Sequence, residues 1–489
     1  MSQKAFAYLT VFCTGVAVMI IEILGAKLLA PSFGSSHFVW TAQIAVTLVA
    51  LTTGYYLGGH LADKSQNSRV LYWAIGAAAV YLAFTSMVIV PVSFWCLHFR
   101  LAVGVLLTSM TLFFIPLSLL AMTCPFLTRL LTTDVRTAGE TIGRLAALGT
   151  AGSLVGTILI GYVLLPFFSN TTILLTTATC LLVLSFAASK SRSWLFTSAV
   201  LLTWIFSIYQ PPTAFLHEFS GNSNFGSLNV LRSKVSGVRY YLNDNLIQNT
   251  YDPKTKQSTV SFTYMLSRLT TGYRSNLTDV LCIGLGVGIV PMDVARRGSQ
   301  VDVVEINPAI VPVATQFFDF DSSKVKLAID DGRHYLNTTQ KQYDAIILDA
   351  FLGESTPTHL MTCEAFTSMR SHLKNNGVLA INSFCNVTNG SFIAKALNET
   401  LRAVFPEVHS YSMGDATFFL AINGHSLSPN FDTQDIHPAV FKTVLEGLKS
   451  ECYIPPGRLL TDNFNPVEFY DAAAREDFRR RLAMNAQKL

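Results

Sequence analysis

Long apolar runs dominate the first 210 residues of the chain. A helix needs about 20 apolar residues to cross a bilayer. Seven segments reach or approach that length, near 6–30, 38–61, 70–91, 101–122, 146–168, 171–188 and 193–210. Pro116 lies inside the fourth segment and removes one helical hydrogen bond, which predicts a kink there. The pattern therefore predicts a multi-pass α-helical membrane domain over residues 1–212, with about seven spans.

Beyond residue 212 the apolar residues form shorter runs. Residues 228–262 alternate between apolar and polar positions, which predicts a small antiparallel β domain over 213–262. Its expected strands are 227–233, 239–242, 246–249 and 259–262. From residue 279 onward, continuous Val/Ile/Leu runs are separated by helical stretches. This pattern predicts an α/β domain over 263–489, with a Rossmann-like, doubly wound sheet. Its expected strands are 280–284, 301–305, 325–329, 345–348 and 378–382.

Charge is scarce and unevenly distributed along the chain. Of the 489 residues 50% are hydrophobic and only 13% are charged, with a mean hydropathy of +0.39. A soluble globular domain has a charged fraction of about 25%. Residues 1–210 contain 10 Lys/Arg and 4 Asp/Glu, whereas residues 211–489 contain 25 and 27. Composition thus excludes a wholly soluble chain and a disordered one, and it assigns the first part to lipid and the second to water.

The eight cysteines are scattered along the chain. They form no CxxC pair and no Cys/His cluster, so neither a zinc site nor a disulfide scaffold is expected. We expect no metal.

A glycine-rich turn follows the first expected strand of the larger domain, where residues 280–288 read VLCIGLGVG. Gly284, Gly286 and Gly288 would let the backbone approach a ligand at the carboxyl end of that strand. The next strand ends in Glu305, about 20 residues after the glycines, where a carboxylate can accept hydrogen bonds from both ribose hydroxyls.

The third and fourth expected strands end in Asp331 and Asp349. Four successive strand ends therefore present glycine and three acids around one crevice, which favours a nucleoside site. The pair Asp331-Gly332 favours an adenine contact in an S-adenosyl ligand. A plain tight turn and a dinucleotide enzyme are the alternatives for the glycines, and a simple turn cap is the alternative for Asp349.

These motifs, in this order, resemble the spermidine synthases and the class I methyltransferase fold that they share. The likeness covers residues 213–400 and includes NFGSLNV at 224–230, Gln248 and Tyr264 ahead of the glycine turn. The whole chain is similar to multi-pass bacterial membrane proteins of this family. That similarity rests on four segments: GYYLGGHLAD at 54–63, LDAF at 348–351, PTHLMT at 357–362 and LTDNFNPV at 460–467.

The resemblance implies aminopropyl transfer, in which an amine displaces methylthioadenosine from decarboxylated S-adenosylmethionine without a metal. Asp349 would match the catalytic acidic residue, and Tyr264 would hydrogen-bond the amine or assist its proton transfer. Glu305 would match the ribose-binding acid and Asp331 an adenine-binding one. Gln248 and the glycines of the turn would complete the donor site. The expected partners are a lipid bilayer and a small-molecule amine; no nucleic acid is expected, and homo-oligomerisation is left open.

Two positions depart from the family pattern. Val287 stands where the family has an Asp within the glycine turn, and Leu352 stands where it has a second Asp, with Glu354 two residues further on. A cationic polyamine would lose two charge-assisted hydrogen bonds. The reaction is therefore left open between aminopropyl transfer to a putrescine-like amine, a lyase reaction of intact S-adenosylmethionine, and methyl transfer. A nucleoside-sensing transporter is an alternative of another class.

Three further residues are candidate substrate contacts. His359 is either a base or a loop histidine, and Asp462 is either a turn residue or a substrate contact. Glu22 lies in the middle of the first apolar segment, where a carboxylate must be paired, protonated or functional. Gln43, His60 and Arg144 are the candidate partners for it.

Basic residues flank one side of the expected spans. They are Lys4, Lys64, Arg69, Arg129, Arg136, Arg144, Lys190 and Arg192. The positive-inside rule then places the N-terminus in the cytoplasm, and seven spans would put residues 211–489 outside. The S-adenosyl donor implied by the resemblance is cytosolic. We therefore expect a bacterial inner-membrane protein whose catalytic domain is cytoplasmic, against the simplest count of spans.

Overall fold

A computed structural model divides the chain into two compact units, with the boundary between residues 212 and 213. It describes residues 3–34, 37–65, 67–132, 134, 136, 138–189, 194–208, 214–244, 246–351, 357–385, 387, 391–425 and 428–470.

Over its described residues, the first unit consists of helices joined by short turns. Its α-helices are α1 (Gln3–Phe33), α2 (His37–Lys64), α3 (Ser68–Cys96), α4 (Leu101–Ser109), α5 (Ile115–Ala121), α6 (Thr123–Leu131), α7 (Ala138–Leu159), α8 (Leu165–Phe167), α9 (Asn170–Ser189) and α10 (Trp194–Ile208). By length and composition, six helical stretches could cross a membrane: Lys4–Phe33, His37–Lys64, Ser68–Cys96, Leu101–Leu131, Ala138–Phe167 and Asn170–Ala188. The helix α10 is apolar but has only 15 residues. The seventh span therefore stays a prediction.

Two π-helical segments interrupt the longer helices, and each ends two residues before a proline. Met110–Phe114 joins α4 to α5 ahead of Pro116, and Ile160–Leu164 joins α7 to α8 ahead of Pro166. Proline has no backbone N–H, so the ordinary i→i−4 ladder cannot continue through it. The widened turn accommodates the missing bond. The predicted disturbance at Pro116 takes this form.

Helices α1 and α7 pack with their backbones in close contact. A Cβ atom at Gly152 would lie 2.2 Å from the carbonyl oxygen of Phe12, and one at Gly156 would lie 2.5 Å from that of Val16. Small residues permit this approach in apolar surroundings, where dispersion contacts hold helices together.

The second unit begins with a five-stranded antiparallel sheet. Its strands, in spatial order, are β1 (Phe215–Ser223), β2 (Gly226–Ser233), β3 (Arg239–Asn243), β4 (Leu246–Asp252) and β5 (Gln257–Ser258). The alternating pattern predicted β2, β3 and β4 and missed β1 and β5. The expected strand at 259–262 is wrong, because helix α11 begins at Ser261. Met265, Leu266 and Leu269 are fully buried at helical spacing. From that point the apolar residues follow the 3.6-residue period of a helix and not the two-residue period of a strand.

A seven-stranded sheet follows, and it confirms the predicted α/β class. Its strands are β6 (Asp279–Ile283), β7 (Gln300–Glu305), β8 (Val325–Ile329), β9 (Tyr343–Leu348), β10 (Leu373–Ser383), β11 (Glu407–Met413) and β12 (Ala416–Ile422). The helices of this unit are α11 (Ser261–Tyr273), α12 (Ile289–Arg296), α13 (Ile310–Phe317), α14 (Gly332–Thr338), α15 (Cys363–Ser371), α16 (Phe392–Val404), α17 (Pro438–Leu448) and α18 (Val467–Tyr470).

The strand order of this sheet, β11-β12-β10-β9-β6-β7-β8, creates a switch point beside β6. The chain passes from β6 to β7 on one side and returns through β9 on the other, and these pairs are parallel. Alternate residues of β6 face opposite cores, with Val280 and Cys282 on one side and Leu281 and Ile283 on the other. Open α/β sheets bind ligands at the carboxyl ends of strands beside such a switch point.

Candidate active site

A cavity lies at this switch point, between the carboxyl ends of the parallel strands and the small sheet. It spans about 1020 Å³ including its open mouth. Seven of the site residues predicted from the sequence line it: Gln248, Gly284, Gly286, Glu305, Asp331, Asp349 and His359. The fold thus brings together residues that are up to 111 positions apart in the chain: Gln248 lies within β4 of the small sheet, and the others lie at strand ends of the larger sheet or in the adjoining loops.

The glycine turn brings backbone against backbone at the floor of the cavity. Gly284 has φ +101°, and a Cβ atom there would lie 2.4 Å from the carbonyl oxygen of Asp349. Gly288 has φ +85° and precedes α12, where a Cβ atom would lie 2.5 Å from the Phe320 ring. Gly288 faces a neighbouring groove and does not line the cavity, so its expected contact with the donor is not supported.

Glu305 ends β7 and uses both carboxylate oxygens to hold the adjacent loops. Oε2 accepts the Leu285 N–H at 2.9 Å, and Oε1 accepts the Asn307 N–H at 2.8 Å. Burial raises the pKa of Glu305, and these N–H donors offset part of that rise. Each oxygen has a second lone pair, so the carboxylate can also accept hydrogen bonds from a ligand in the cavity.

Asp331 is more heavily engaged than the sequence suggested. Its Oδ1 caps α14 by accepting the N–H groups of Arg333 and His334 at 2.9 and 3.1 Å. Its Oδ2 lies 2.9 Å from His359 Nε2. Burial opposes ionisation, but the His334 N–H and His359 outweigh it and hold the pKa of Asp331 below its usual range. Asp331 and His359 therefore act as a pair at this end of the cavity.

Asp349 follows β9 and is partly buried at the cavity. The Nδ2 group of Asn382, near the end of β10, donates to its Oδ1 at 3.0 Å. Burial raises the pKa of Asp349 to about 6, against the opposing effect of Asn382. A carboxyl group whose pKa is raised towards neutral pH is suited to take up a proton near physiological pH.

Tyr264 does not line the cavity, and the role implied for it by the resemblance stays a prediction. Its hydroxyl donates to the carbonyl oxygen of Ser258 at 2.9 Å and accepts the His437 N–H at 3.3 Å. The rotation of α11 about its axis turns the side chain towards the groove beyond Gly288. Tyr264 thus joins α11 to the segment before α17.

Three asparagines of the cavity were not predicted. Asn243, Asn249 and Asn382 are 8%, 6% and 2% exposed, and each has an Oδ1 atom without a hydrogen-bond partner in the described structure. All three line the cavity. An unpaired buried acceptor costs about 1–3 kcal/mol, and these three oxygens can accept hydrogen bonds from N–H or O–H groups inside the cavity. The signal in the sequence was polar residues at inward-facing strand positions.

The other expected contacts with substrate behave differently. His359 lines the cavity, whereas the Asp462 carboxylate does not. Arg333 binds Asp462 through both guanidinium ends, at 2.7 and 2.5 Å, and Thr362 Oγ1 donates to it at 2.7 Å. The Asp462 carboxylate is thus bound by Arg333 and Thr362 outside the cavity, and a substrate contact for it stays a prediction.

Glu22 lies partly buried in α1, and the three partners suggested for it have other contacts. The Gln43 amide accepts a hydrogen bond from Ser109 Oγ at 2.6 Å. Arg144 pairs with Glu140 at 2.5 Å, and the ring of His60 stacks on Tyr56. The proposed pairings are not observed, and a substrate role for Glu22 stays a prediction.

Leu352 and Glu354, where the acceptor pocket departs from the family pattern, lie outside the described residues. Within the described part of the chain, no group of three or more His, Cys, Asp or Glu side chains is arranged to hold a metal ion.

The cavity, the glycine turn and the acids at the strand ends define an α/β domain with a candidate ligand site at its switch point. Its relatives agree with this class. The spermine/spermidine synthase domain matches residues 260–417. A polyamine aminopropyltransferase of Vibrio vulnificus is 30% identical over 207 residues, which cover 38% of this chain and 68% of that protein. The chain belongs to the spermine/spermidine synthase family, a family of aminopropyltransferase-type enzymes.

Other relatives match shorter parts of their own length. An N-terminal histidine N-methyltransferase of Emericella nidulans is 33% identical over 135 residues, covering 26% of this chain and 24% of that protein. Spermidine synthase 2 of Arabidopsis thaliana is 31% identical over 169 residues, covering 33% and 48%. The crystal structure of a probable spermidine synthase from Corynebacterium glutamicum aligns with a TM-score of 0.41 and 15% identity, over 52% of this chain and 98% of that one.

Proposed function

We propose that the cavity binds decarboxylated S-adenosylmethionine and that the enzyme transfers its aminopropyl group to a primary amine, releasing methylthioadenosine. The observation that supports this most directly is the position of Asp349. A partly buried acid with a pKa of about 6 shares one cavity with the glycine turn and Glu305. One end of the cavity can therefore hold a nucleoside while the other accepts a proton.

The donor is a sulfonium whose ribose would lie against Glu305. The nitrogen lone pair of the amine attacks the carbon next to sulfur, the C–S bond breaks, and sulfur keeps the bonding pair as a neutral thioether. The proton lost by nitrogen passes to Asp349. In-line placement of the amine and removal of this proton are the two contributions that the protein must make.

The amine would be held by Asp349 together with Asn382. Because Asn382 donates its Nδ2 to Asp349, its own Oδ1 is directed to another donor, and that oxygen has no partner among the described residues. Phe351 and Phe384 also line this region, with ring centroids 5.1 Å apart. We infer that the amine nitrogen lies between the carboxylate and the amide oxygen, beside an aromatic wall.

Intact S-adenosylmethionine is the second candidate donor. Val287, at the position of the family's acid in the glycine turn, is 1% exposed and does not line the cavity. The Asn249 Nδ2 atom lies 3.4 Å from the position of a Cβ atom on Gly286. A neutral amide at the turn, in place of the family's acid, favours binding of a donor whose tail keeps its carboxylate. Such a donor would undergo methyl transfer to an external group, or attack by its own carboxylate to give methylthioadenosine and homoserine lactone.

Mass spectrometry of the products distinguishes these reactions. The purified full chain is incubated with each donor, with and without putrescine. Methylthioadenosine and an aminopropylated amine, formed only from the decarboxylated donor and putrescine, are the expected result. S-adenosylhomocysteine would identify a methyltransferase. Methylthioadenosine with homoserine lactone from the intact donor alone would identify a lyase, and nucleoside uptake into vesicles without turnover would favour a transporter.

We propose that the first unit crosses a bacterial inner membrane and that the second unit faces the cytoplasm. Six helical stretches of sufficient length and apolarity support the first part of this proposal. The cytosolic origin of an S-adenosyl donor supports the second. The membrane is the expected lipid partner, and the amine acceptor is the expected small-molecule one.

A further inference from the structure

The segment after α17 forms a strap along one side of the second unit. This C-terminal strap, residues 450–466, begins beside β11, where the Cys452 N–H donates to Ser410 O at 2.8 Å. It continues along α16, where Asn398 Nδ2 donates to Ile454 O at 2.9 Å. Ile454 and Leu460 are 3% and 0% exposed within the hydrophobic core. The strap is therefore built into the domain, although it lies beyond residues 260–417 that match the family.

The strap ends against the loop that contains His359. The Cys363 N–H donates to Leu460 O at 2.8 Å, just after this loop. Asn465 Nδ2 donates to the carbonyl oxygen of Thr358 at 2.9 Å. Two residues of the strap thus hold the chain on both sides of His359.

Arg333 connects the strap to the same loop by a second route. Its guanidinium binds the two Asp462 oxygens, and its Nη1 also donates to the carbonyl oxygen of His359 at 3.1 Å. A planar guanidinium makes such bidentate contacts in a fixed geometry. Asp462 therefore fixes the guanidinium that holds the His359 backbone.

The His359 side chain connects the loop held by Arg333 to the cavity. Its Nε2 lies 2.9 Å from Asp331 Oδ2, and both residues line the cavity together with Leu360. Asp331 is held on its other oxygen by the N-terminus of α14. The position of His359 thus determines how the two residues close the end of the cavity at the third parallel strand.

We propose that Asp462 is a positioning residue for the nucleoside site, and that the C-terminal strap is a working part of that site. Asp462 acts through Arg333 on the His359 loop, and the His359–Asp331 pair then forms the wall against the nucleobase. The inference rests on the proposed function, because it presumes that an S-adenosyl nucleoside occupies the cavity.

The test compares two ion pairs of the second unit. Arg297 Nη1 lies 2.7 Å from Asp432, and their side chains are 26% and 42% exposed. The side chains of Arg333 and Asp462 are 24% and 43% exposed, so the two pairs match in distance and exposure. Asp432 does not line the cavity. Asp432→Asn is therefore the matched control for Asp462→Asn.

Calorimetric titration of the purified full chain with methylthioadenosine provides the readout. Asp462→Asn should weaken binding about tenfold, the size of one lost charge-assisted contact, and should raise KM for the donor more than it lowers kcat. Asp432→Asn should leave affinity within about twofold, with a similar loss of thermal stability. Asp462→Glu should restore part of the affinity.

A second variant leaves the ion pair intact. Asn465→Leu removes the hydrogen bond to Thr358 O, together with the longer one from the Val467 N–H at 3.4 Å, and should weaken methylthioadenosine binding in the same direction as Asp462→Asn. Equal affinities of wild type, Asp462→Asn and Asn465→Leu would overturn the role of the strap. A wild-type chain that binds no methylthioadenosine would instead overturn the proposed function, so the two failures are distinguishable.

Discussion

The Nδ2 group of Asn382 donates a hydrogen bond to Oδ1 of Asp349 across 3.0 Å, at the carboxyl ends of two adjacent parallel strands. This contact orients the acid that burial brings to a pKa of about 6. It also leaves the second face of the carboxylate for a substrate. The pH dependence of turnover follows from this pair.

Turnover should fall as the pH is lowered through about 6, because the protonated form of Asp349 cannot accept the proton of the amine. Below that pH, log kcat/KM should decline with a slope of one per pH unit. Asp349→Asn should lower kcat by about 10²–10⁴-fold, the usual contribution of a general base, while methylthioadenosine affinity changes little. Equal losses of turnover and affinity would assign Asp349 to holding the nucleoside.

Replacing Asn382 should move the acid limb of this profile. The amide N–H stabilises the charged form of Asp349, so Asn382→Leu should raise the pKa of Asp349 and shift the limb to higher pH. Asn243→Leu removes another cavity amide that has no bond to Asp349, and its limb should stay in place. A pH–rate series on both variants makes the comparison, and identical limbs would contradict the assignment.

Glu305 should contribute to affinity through the ribose. Glu305→Gln keeps the size of the side chain but removes its charge, and it should weaken methylthioadenosine binding by about 1.5–3 kcal/mol. Calorimetry measures this loss. A 2′,3′-dideoxy analogue provides the control, because without ribose hydroxyls it should bind wild type and Glu305→Gln with similar affinity. If the loss is as large for the analogue, Glu305 only supports the glycine turn.

Asn249 should set the choice between the two donors. Asn249→Asp places a negative charge beside Gly286, which would attract the ammonium of a decarboxylated tail and repel the carboxylate of an intact one. We expect the ratio of affinities to shift at least about tenfold towards the decarboxylated donor, a change of about 1.4 kcal/mol. Competition binding of both donors to wild type and variant measures the ratio, and an unchanged ratio would place the donor tail elsewhere.

The side of the membrane can be tested at Ser322, an exposed residue of the second unit. Ser322→Cys should react with a membrane-impermeant maleimide only after the cells are opened. Wild-type protein treated in the same way measures the labelling of the native cysteines. Labelling of Ser322→Cys in intact cells, above that background, would place the catalytic unit outside.

The positions that the sequence predicted around one cavity follow from strand periodicity. Glu305 and Asp349 lie at the ends of the buried strands β7 and β9, Asp331 follows the partly exposed β8, and parallel strands bring their ends to one edge of the sheet. Tyr264 was placed by family resemblance alone, and the rotation of α11 about its axis decides which side such a residue faces. At 259–262 the alternation suggested a strand, but burial at helical spacing determines the structure there.

Pairings between distant segments could not be predicted in the same way. Arg333 and Asp462 are 129 residues apart, and their contact depends on the path of the strap along α16. The three asparagines were missed because nothing in the sequence marks an amide oxygen that lacks a hydrogen-bond partner. An unpaired acceptor becomes visible only when the packing around it is known.

The contact between Gly284 and the backbone of Asp349 has a consequence for how this enzyme could change its substrate. The turn that would cradle the nucleoside and the strand end that holds the acid touch through main-chain atoms, with 2.4 Å between a Cβ position and a carbonyl oxygen. No side chain lies between them to be enlarged or trimmed. The distance between the proposed nucleoside donor and the proposed base, Asp349, is thus set by the backbone of the sheet. New acceptors must be gained through the small sheet and the loops, which can vary without disturbing that spacing.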